Sequence, residues 1–300
     1  MSHPSIVQYT VCPACQSNSI QPVLTVKDYT VSQENFEIWE CDQCTLRFTQ
    51  AVPDEGAIGR YYQAEDYISH TNTNKGLVNR LYHTVRSITL KNKRKLIKQV
   101  SGRNTGQLLD VGAGAGAFAA FMQRSGWQVI GLEPDPDTRQ RAREQYGLNL
   151  HETSELFRLP EGHFDVITLW HVLEHVHSLH EYLRQLKLLL KPGGTLLIAV
   201  PNYTSGDATH YGAFWAAYDV PRHLYHFSPL SMRRLLQGHG LQLKGIRPMW
   251  FDSFYVSMMS EKYKTGNSSL LKGAWQGLVS NNQAMTDKER CSSLIYVVSC

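Results

Sequence analysis

Leu108-Leu109-Asp110-Val111-Gly112-Ala113-Gly114-Ala115-Gly116 is the stretch that decides the fold. Its apolar residues around a single acid read as a buried strand. The glycines after it allow a sharp turn into the helical stretch Ala117–Arg124. Such a turn aims backbone amides and a helix N-terminus at a ligand. Gly112, Gly114 and Ala117 also satisfy the dinucleotide fingerprint G-x-G-x-x-G/A, and Glu133 lies 21 residues beyond Gly112. Read locally, the turn does not separate one adenosine cofactor from another.

The downstream residues separate them. Gly126-Trp127-Gln128-Val129-Ile130-Gly131-Leu132-Glu133 is a second strand ending in an acid suited to ribose hydroxyls. Phe164-Asp165-Val166-Ile167-Thr168-Leu169-Trp170 is a third apolar run, and Lys191-Pro192-Gly193-Gly194 introduces a fourth, Thr195–Pro201. These ordered pieces, from about Gln107 to Val200, closely resemble the class I S-adenosylmethionine (SAM)-dependent methyltransferases. The resemblance implies an α/β fold with a Rossmann-like, seven-stranded sheet. It implies that Gly112, Gly114 and Gly116 approach the methionine part of SAM, that Asp110 orders the turn, and that Glu133 holds the ribose. Trp170 then helps enclose the cofactor, and the adenine position falls near His151-Glu152-Thr153, with Glu152 its weak candidate. A sulfonium cation needs no phosphate clamp, and an aromatic face stabilises it without an ion pair; core packing is the plainer reading of Trp170.

Nearer the N-terminus, Cys12-Pro13-Ala14-Cys15 and Cys41-Asp42-Gln43-Cys44 each place two thiolates on a tight turn. Two such pairs suit one tetrahedral Zn²⁺, and four thiolates leave no open coordination position, so the expected role is structural. Val23, Val26, Tyr29, Phe36, Ile38 and Trp39 lie between the pairs and favour strands, the pattern of a zinc ribbon. The expected organisation is a ribbon over 1–55, a helical linker over 56–105 and a methyltransferase domain over 106–300. Within the linker, Leu77, Leu81, Val85 and Ile88 recur at helical spacing and lead into Lys91, Lys93, Arg94, Lys95 and Lys98, read as a solvated basic face.

Thirty basic against 26 acidic side chains give a net charge of +4, too small a bias to imply a nucleic-acid partner. No apolar stretch reaches the ~18 residues that would span a bilayer, and Met1–Thr10 carries no basic start followed by a hydrophobic run. The expectation is a cytoplasmic protein acting on a small molecule, with its oligomeric state open.

Methyl transfer to a hydroxyl or an acidic carbon needs a nearby base. His171, Glu174 and His175 share one face if a helix starts there. The stretch resembles ubiquinone-pathway O-methyltransferases, whose acidic and histidine set binds a divalent ion, except that His171 stands where an acid is expected. His171 alone is kept as a candidate. Segment 201–227 carries seven aromatic residues and reads as a substrate lid, with His223 and His226 as base candidates, one of them holding the loop, and Arg222 suited either to a substrate carboxylate or to a protein acid. The arrangement resembles sugar C-methyltransferases in part. An RNA methyltransferase docking through ribbon and basic helix, a non-catalytic SAM-binding scaffold and an NAD-linked enzyme are the competing readings.

Overall fold

The computed structural model describes residues 6–62, 77–267 and 270–300. Residues 63–76 of the expected linker and the first five of the N-terminal stretch lie outside the described residues. In chain order the elements are strands β1 (Ile6–Val7), β2 (Ile20–Lys27), β3 (Asn35–Cys41), β4 (Arg47–Thr49) and β5 (Val52–Pro53), helix α1 (Leu77–Ser101), β6 (Gln107–Val111), α2 (Ala117–Arg124), β7 (Gln128–Leu132), α3 (Pro136–Tyr146), β8 (Phe164–Trp170) and α4 (Leu179–Leu189). Beyond these come β9 (Leu190–Pro201), α5 (Gly206–Tyr211), β10 (Tyr225–His226), α6 (Pro229–Gly238), β11 (Gln242–Pro248), α7 (Asp252–Thr265), α8 (Leu270–Thr286) and β12 (Ser293–Ser299).

Local chemistry starts and stops these elements where the sequence suggests. Asp135 caps α3 by accepting from the Thr138 amide at 2.6 Å, with Pro136 in the first turn, and Gly147 ends the helix at φ 67°. Ser228 and Ser231 form a reciprocal cap ahead of α6, with Pro229 in its first turn. Among the described residues, no helix is long and apolar enough to cross a membrane.

The main sheet has six strands in the order β11-β12-β9-β8-β6-β7. β6 runs parallel to both β7 and β8, placing Leu109 opposite Ile130 and Ile167. Six strands among the described residues stand against the seven that the resemblance implies, and beyond β7 there is one parallel bridge, between Leu132 and His151. Glu133 N–H donates to the His151 carbonyl and His151 N–H to the Gly131 carbonyl, each at 2.9 Å. Pairing then stops because the chain bends at Thr153 into the 3₁₀ turn Thr153–Arg158.

The chain divides into two compact units: the described parts of residues 69–172, 181–198 and 297–300 form one, and those of 1–68, 173–180 and 199–296 the other. These divisions differ from the expected boundaries at 55 and 105. The cysteine-bearing sheet runs β10-β4-β3-β2, so a strand from far along the chain completes it, with Tyr225 opposite Phe48 and His226 opposite Arg47. Segment 201–227, read as a substrate lid, packs most of its aromatic residues inward. Tyr203, Tyr211, Trp215, Tyr218, Tyr225 and Phe227 are all buried, and most of them share a cluster with Val26 and Ile38 of the ribbon. Burial of that much aromatic area stabilises far more than a solvated cover would.

Arg222 shows why this segment is held. Its guanidinium is 1% exposed and ion-paired to Asp28 at 3.1 Å and to Asp219 at 2.7 Å; it also donates to the Tyr61 carbonyl at 2.8 Å and to the Thr30 hydroxyl. Its donors are therefore committed within the protein, which decides against the substrate-clamp reading. Burial pushes Asp28 up, but the Ser32 amide and the Arg222 charge outweigh it and hold the carboxyl down to about 2. Removing one partner of a buried ion network strands the others. Arg222→Ala is expected to cost ~3–5 kcal/mol in urea unfolding, and a loss under 1 kcal/mol would show that the network does not hold the segment.

Candidate active site

The glycine turn and its surroundings lie within one unit. Gly112, Gly114 and Gly116 have φ of 68°, 54° and 78°, the left-handed region that disfavours side chains. At Gly112 a Cβ would collide with the Val172 side chain; at Gly116 it would meet Leu148 at 3.0 Å and Ala142 at 3.1 Å. At Gly114 there is open space. Gly112 and Gly116 therefore serve close packing, and Gly114 keeps the turn's outer face clear.

Two buried carboxylates flank the turn, and one of them is bonded to it. Glu133 accepts from the Gly114 amide at 2.9 Å and from the Asp135 amide at 3.1 Å. Burial still raises its pKa above the ordinary carboxylate value. Asp110, 1% exposed, accepts from the Thr168 hydroxyl at 2.7 Å; burial pushes it up to about 7 against the opposing pull of that hydrogen bond and of Lys93.

Lys93 is the residue that sequence reading missed. Lys91, Arg94, Lys95 and Lys98 are exposed as expected, but the Lys93 ammonium lies over the Trp170 ring, 4.0 Å from its centroid, and 5.5 Å from that of Phe118. The available signal was its spacing of four from Ile97, which is fully buried on the inner face of α1. Phe118 meets Trp170 edge-on with centroids 5.6 Å apart. The Trp170 indole N–H is buried without a hydrogen-bond partner among the described residues. An orphaned donor, a clear Gly114 face and an aromatic wall fit a small polar cofactor such as SAM.

The histidines divide differently from the expectation. His171, half-buried, has φ 58°, and Leu173–His175 is a 3₁₀ turn. The helical face that was to align His171, Glu174 and His175 therefore does not form. In the other unit, His175 Nδ1 donates to the Arg222 carbonyl at 3.0 Å, with the Tyr62 hydroxyl at 3.1 Å. Burial and the adjacent His223 push His175 down to about 4, leaving it neutral with a lone pair on Nε2.

His223 Nδ1 donates to the Ala217 carbonyl at 2.8 Å, which turns its Nε2 to within 3.9 Å of the Asp219 carboxylate. The two rings meet edge-on at 4.6 Å, and Glu174, His175 and His223 each bring one ligating atom within 4.8 Å of the others. His226 differs. The Thr49 hydroxyl donates to the His223 carbonyl at 2.7 Å and accepts from His226 Nε2 at 3.1 Å. Burial drives the His226 pKa well below the ordinary value.

The four N-terminal cysteines converge. Cys12 and Cys44 sulfurs are 3.5 Å apart, as are those of Cys15 and Cys41, and all four lie within 4.8 Å. A tetrahedron with Zn–S of ~2.3 Å has edges near ~3.8 Å, so the set fits a tetrathiolate metal. Accepting from the Cys44 thiol holds Cys12 down to about 5, and donating raises Cys44.

Asp110 predicts a pH dependence. A carboxyl with a folded pKa of about 7 binds its proton more tightly than in the unfolded chain, so its contribution falls as pH rises from the ordinary carboxylate range through 7. Calorimetric scans of the ligand-free protein should show Tm falling over that range by less in Asp110→Asn than in the parent. Equal slopes would contradict the assigned shift.

A methyltransferase-domain family profile matches residues 85–244, more than half of the chain. Curated relatives include the ubiquinone biosynthesis O-methyltransferases of Xanthomonas euvesicatoria pv. vesicatoria and Xanthomonas campestris pv. campestris. Each is 29% identical over 159 residues, covering 49% of this chain and 66% of the relative, just under two thirds of its length. Among solved structures, a SAM-dependent methyltransferase from Archaeoglobus fulgidus aligns at TM-score 0.49 and 18% identity, covering 71% of this chain and 93% of that one. The 1,6-didemethyltoxoflavin-N1-methyltransferase of Burkholderia thailandensis aligns at TM-score 0.48 and 15% identity, covering 91% and 98%. By the family match and the glycine-turn architecture it spans, the chain belongs to the methyltransferase-domain family.

Proposed function

We propose that this protein transfers the methyl group of SAM to carbon or oxygen of a small-molecule acceptor, with His223 as the base and a structural zinc in its ribbon. The observation that carries the reading is the glycine turn tied to Glu133, with an open face at Gly114 and an unpartnered Trp170 indole in the same unit. Bound SAM supplies an electrophilic methyl carbon. Gly112, Gly114 and Gly116 would let its methionine part approach the backbone, Glu133 would accept from its ribose hydroxyls, and Asp110 would order the turn. Trp170 would help enclose the cofactor through its unpartnered N–H, its ring already carrying the Lys93 ammonium. The O-methylation named for the Xanthomonas relatives supports an oxygen acceptor.

His223 is preferred to His226 because its Nδ1–H is committed to a carbonyl, which leaves Nε2 free to take a proton. His226 spends its Nε2–H on Thr49, a holding role. His171 is a second candidate for contact with the acceptor. Zinc on Cys12, Cys15, Cys41 and Cys44 ties β3 to the turn before β2. Four cysteines gathered for a metal rather than for disulfides support a cytoplasmic setting. Lys93 turned inward leaves the basic helix weaker support for RNA docking.

Purified protein incubated with methyl-labelled SAM and a cell extract should place label in the small-metabolite fraction, and Glu133→Ala should abolish it. Label confined to RNA would overturn the assignment. Once an acceptor is in hand, His223→Ala should lower kcat ~10²–10⁴-fold with SAM affinity unchanged. An unaltered kcat would remove His223 from the chemistry. The protein as purified should carry about one zinc per chain by elemental analysis, and Cys41→Ser should lose it together with thermal stability. Full metal content in that variant would contradict the four-thiolate site.

A further inference from the structure

Helix α8 is apolar on two opposite sides. Its inner side is built for close approach: a Cβ at Gly277 would lie 2.9 Å from Phe254 Cα, and Gly273 sits equally tight against Met258 of α7. Ser280 donates to the buried Asp207 carboxylate at 2.8 Å, and Ala284 is fully buried. That side already has its partners.

The outer side does not obey the usual rule for a solvated face. Leu271 is 86% exposed, Trp275 67%, Leu278 43% and Met285 72%. With exposed Asn282 they form a line at intervals of four, three, four and three residues. That is a 3.5-residue period, the seam by which one helix packs on another, with a single polar residue in the place that commonly sets register. Lys272, Gln276, Gln283 and Thr286 border one flank of it and Ala274 the other; a helix lying in a bilayer surface carries many basic residues beside its apolar face, and Lys272 is the one basic residue on this helix.

The line is also close to self-complementary. Leu271 and Met285 are each seven residues from Leu278, so an antiparallel copy centred on Leu278 sets each large end residue against the other. Trp275 then falls next to Asn282 of the second copy, which would offer its indole N–H an amide oxygen. Lys272 is the only charge on α8, so the two copies bring no like charges together along the seam. We propose that α8 is the self-association surface of this protein, pairing antiparallel with α8 of a second copy through Leu271, Trp275, Leu278 and Met285.

Sedimentation equilibrium of the full chain tests this directly. The parent protein should be a reversible dimer, and Leu278→Glu should weaken its Kd at least ~30-fold, the least that loss of a central anchor costs, with an unchanged far-UV spectrum. Leu278→Cys in a Cys300→Ser background should oxidise to a covalent dimer, since the seam brings the two positions together. A monomeric parent, or a dimer indifferent to Leu278→Glu, would overturn the proposal. So would a monomer that co-sediments with phosphatidylglycerol vesicles through Trp275.

Discussion

Glu133 must hold two backbone amides at once, and the geometry of the glycine turn depends on that requirement. One oxygen takes the Gly114 N–H, the other the Asp135 N–H just ahead of α3. The side chain can reach both because β7 lies parallel to β6 with Leu132 opposite Val111, so the strand ends level with the turn. Both links are polar and part-buried, where an unmet hydrogen bond is costly. The glycines supply the φ values the amides need, and Val172 and Leu148 fill the space where side chains would have been.

The same economy recurs around Arg222. One buried cation holds Asp28 of the cysteine-bearing segment and Asp219 of the aromatic segment, and its own carbonyl orients His175. Backbone carbonyls take the Nδ1 protons of both His175 and His223 and so fix how each ring is turned. The histidines' orientation is set by the loop's path, which in turn depends on the ion network beneath it.

Much of this was legible in the residues. Strands β6, β7 and β8 are apolar runs with sharp glycine or acid punctuation, and α2 begins where expected, because buried parallel strands and caps leave strong local signatures. The paired cysteines read correctly as one cluster. Other features depend on contacts between distant segments and left no local trace. β10 joins the ribbon sheet across roughly 180 residues, turning an expected aromatic lid into core. The strand after α3 shrank to the His151 bridge because the next turn ends its pairing. Lys93 looked like one more solvated lysine until α1 was oriented. α8, rich in glycine and asparagine, has low helix propensity and takes its stability from packing on α7.

The central claim is that the turn between β6 and α2 binds SAM in preference to a dinucleotide. Calorimetric titration of the protein with S-adenosylhomocysteine and, separately, with NAD is the most direct test. The account predicts saturable binding of S-adenosylhomocysteine that Glu133→Ala abolishes, and none of NAD. Binding of NAD with no response to S-adenosylhomocysteine would contradict it.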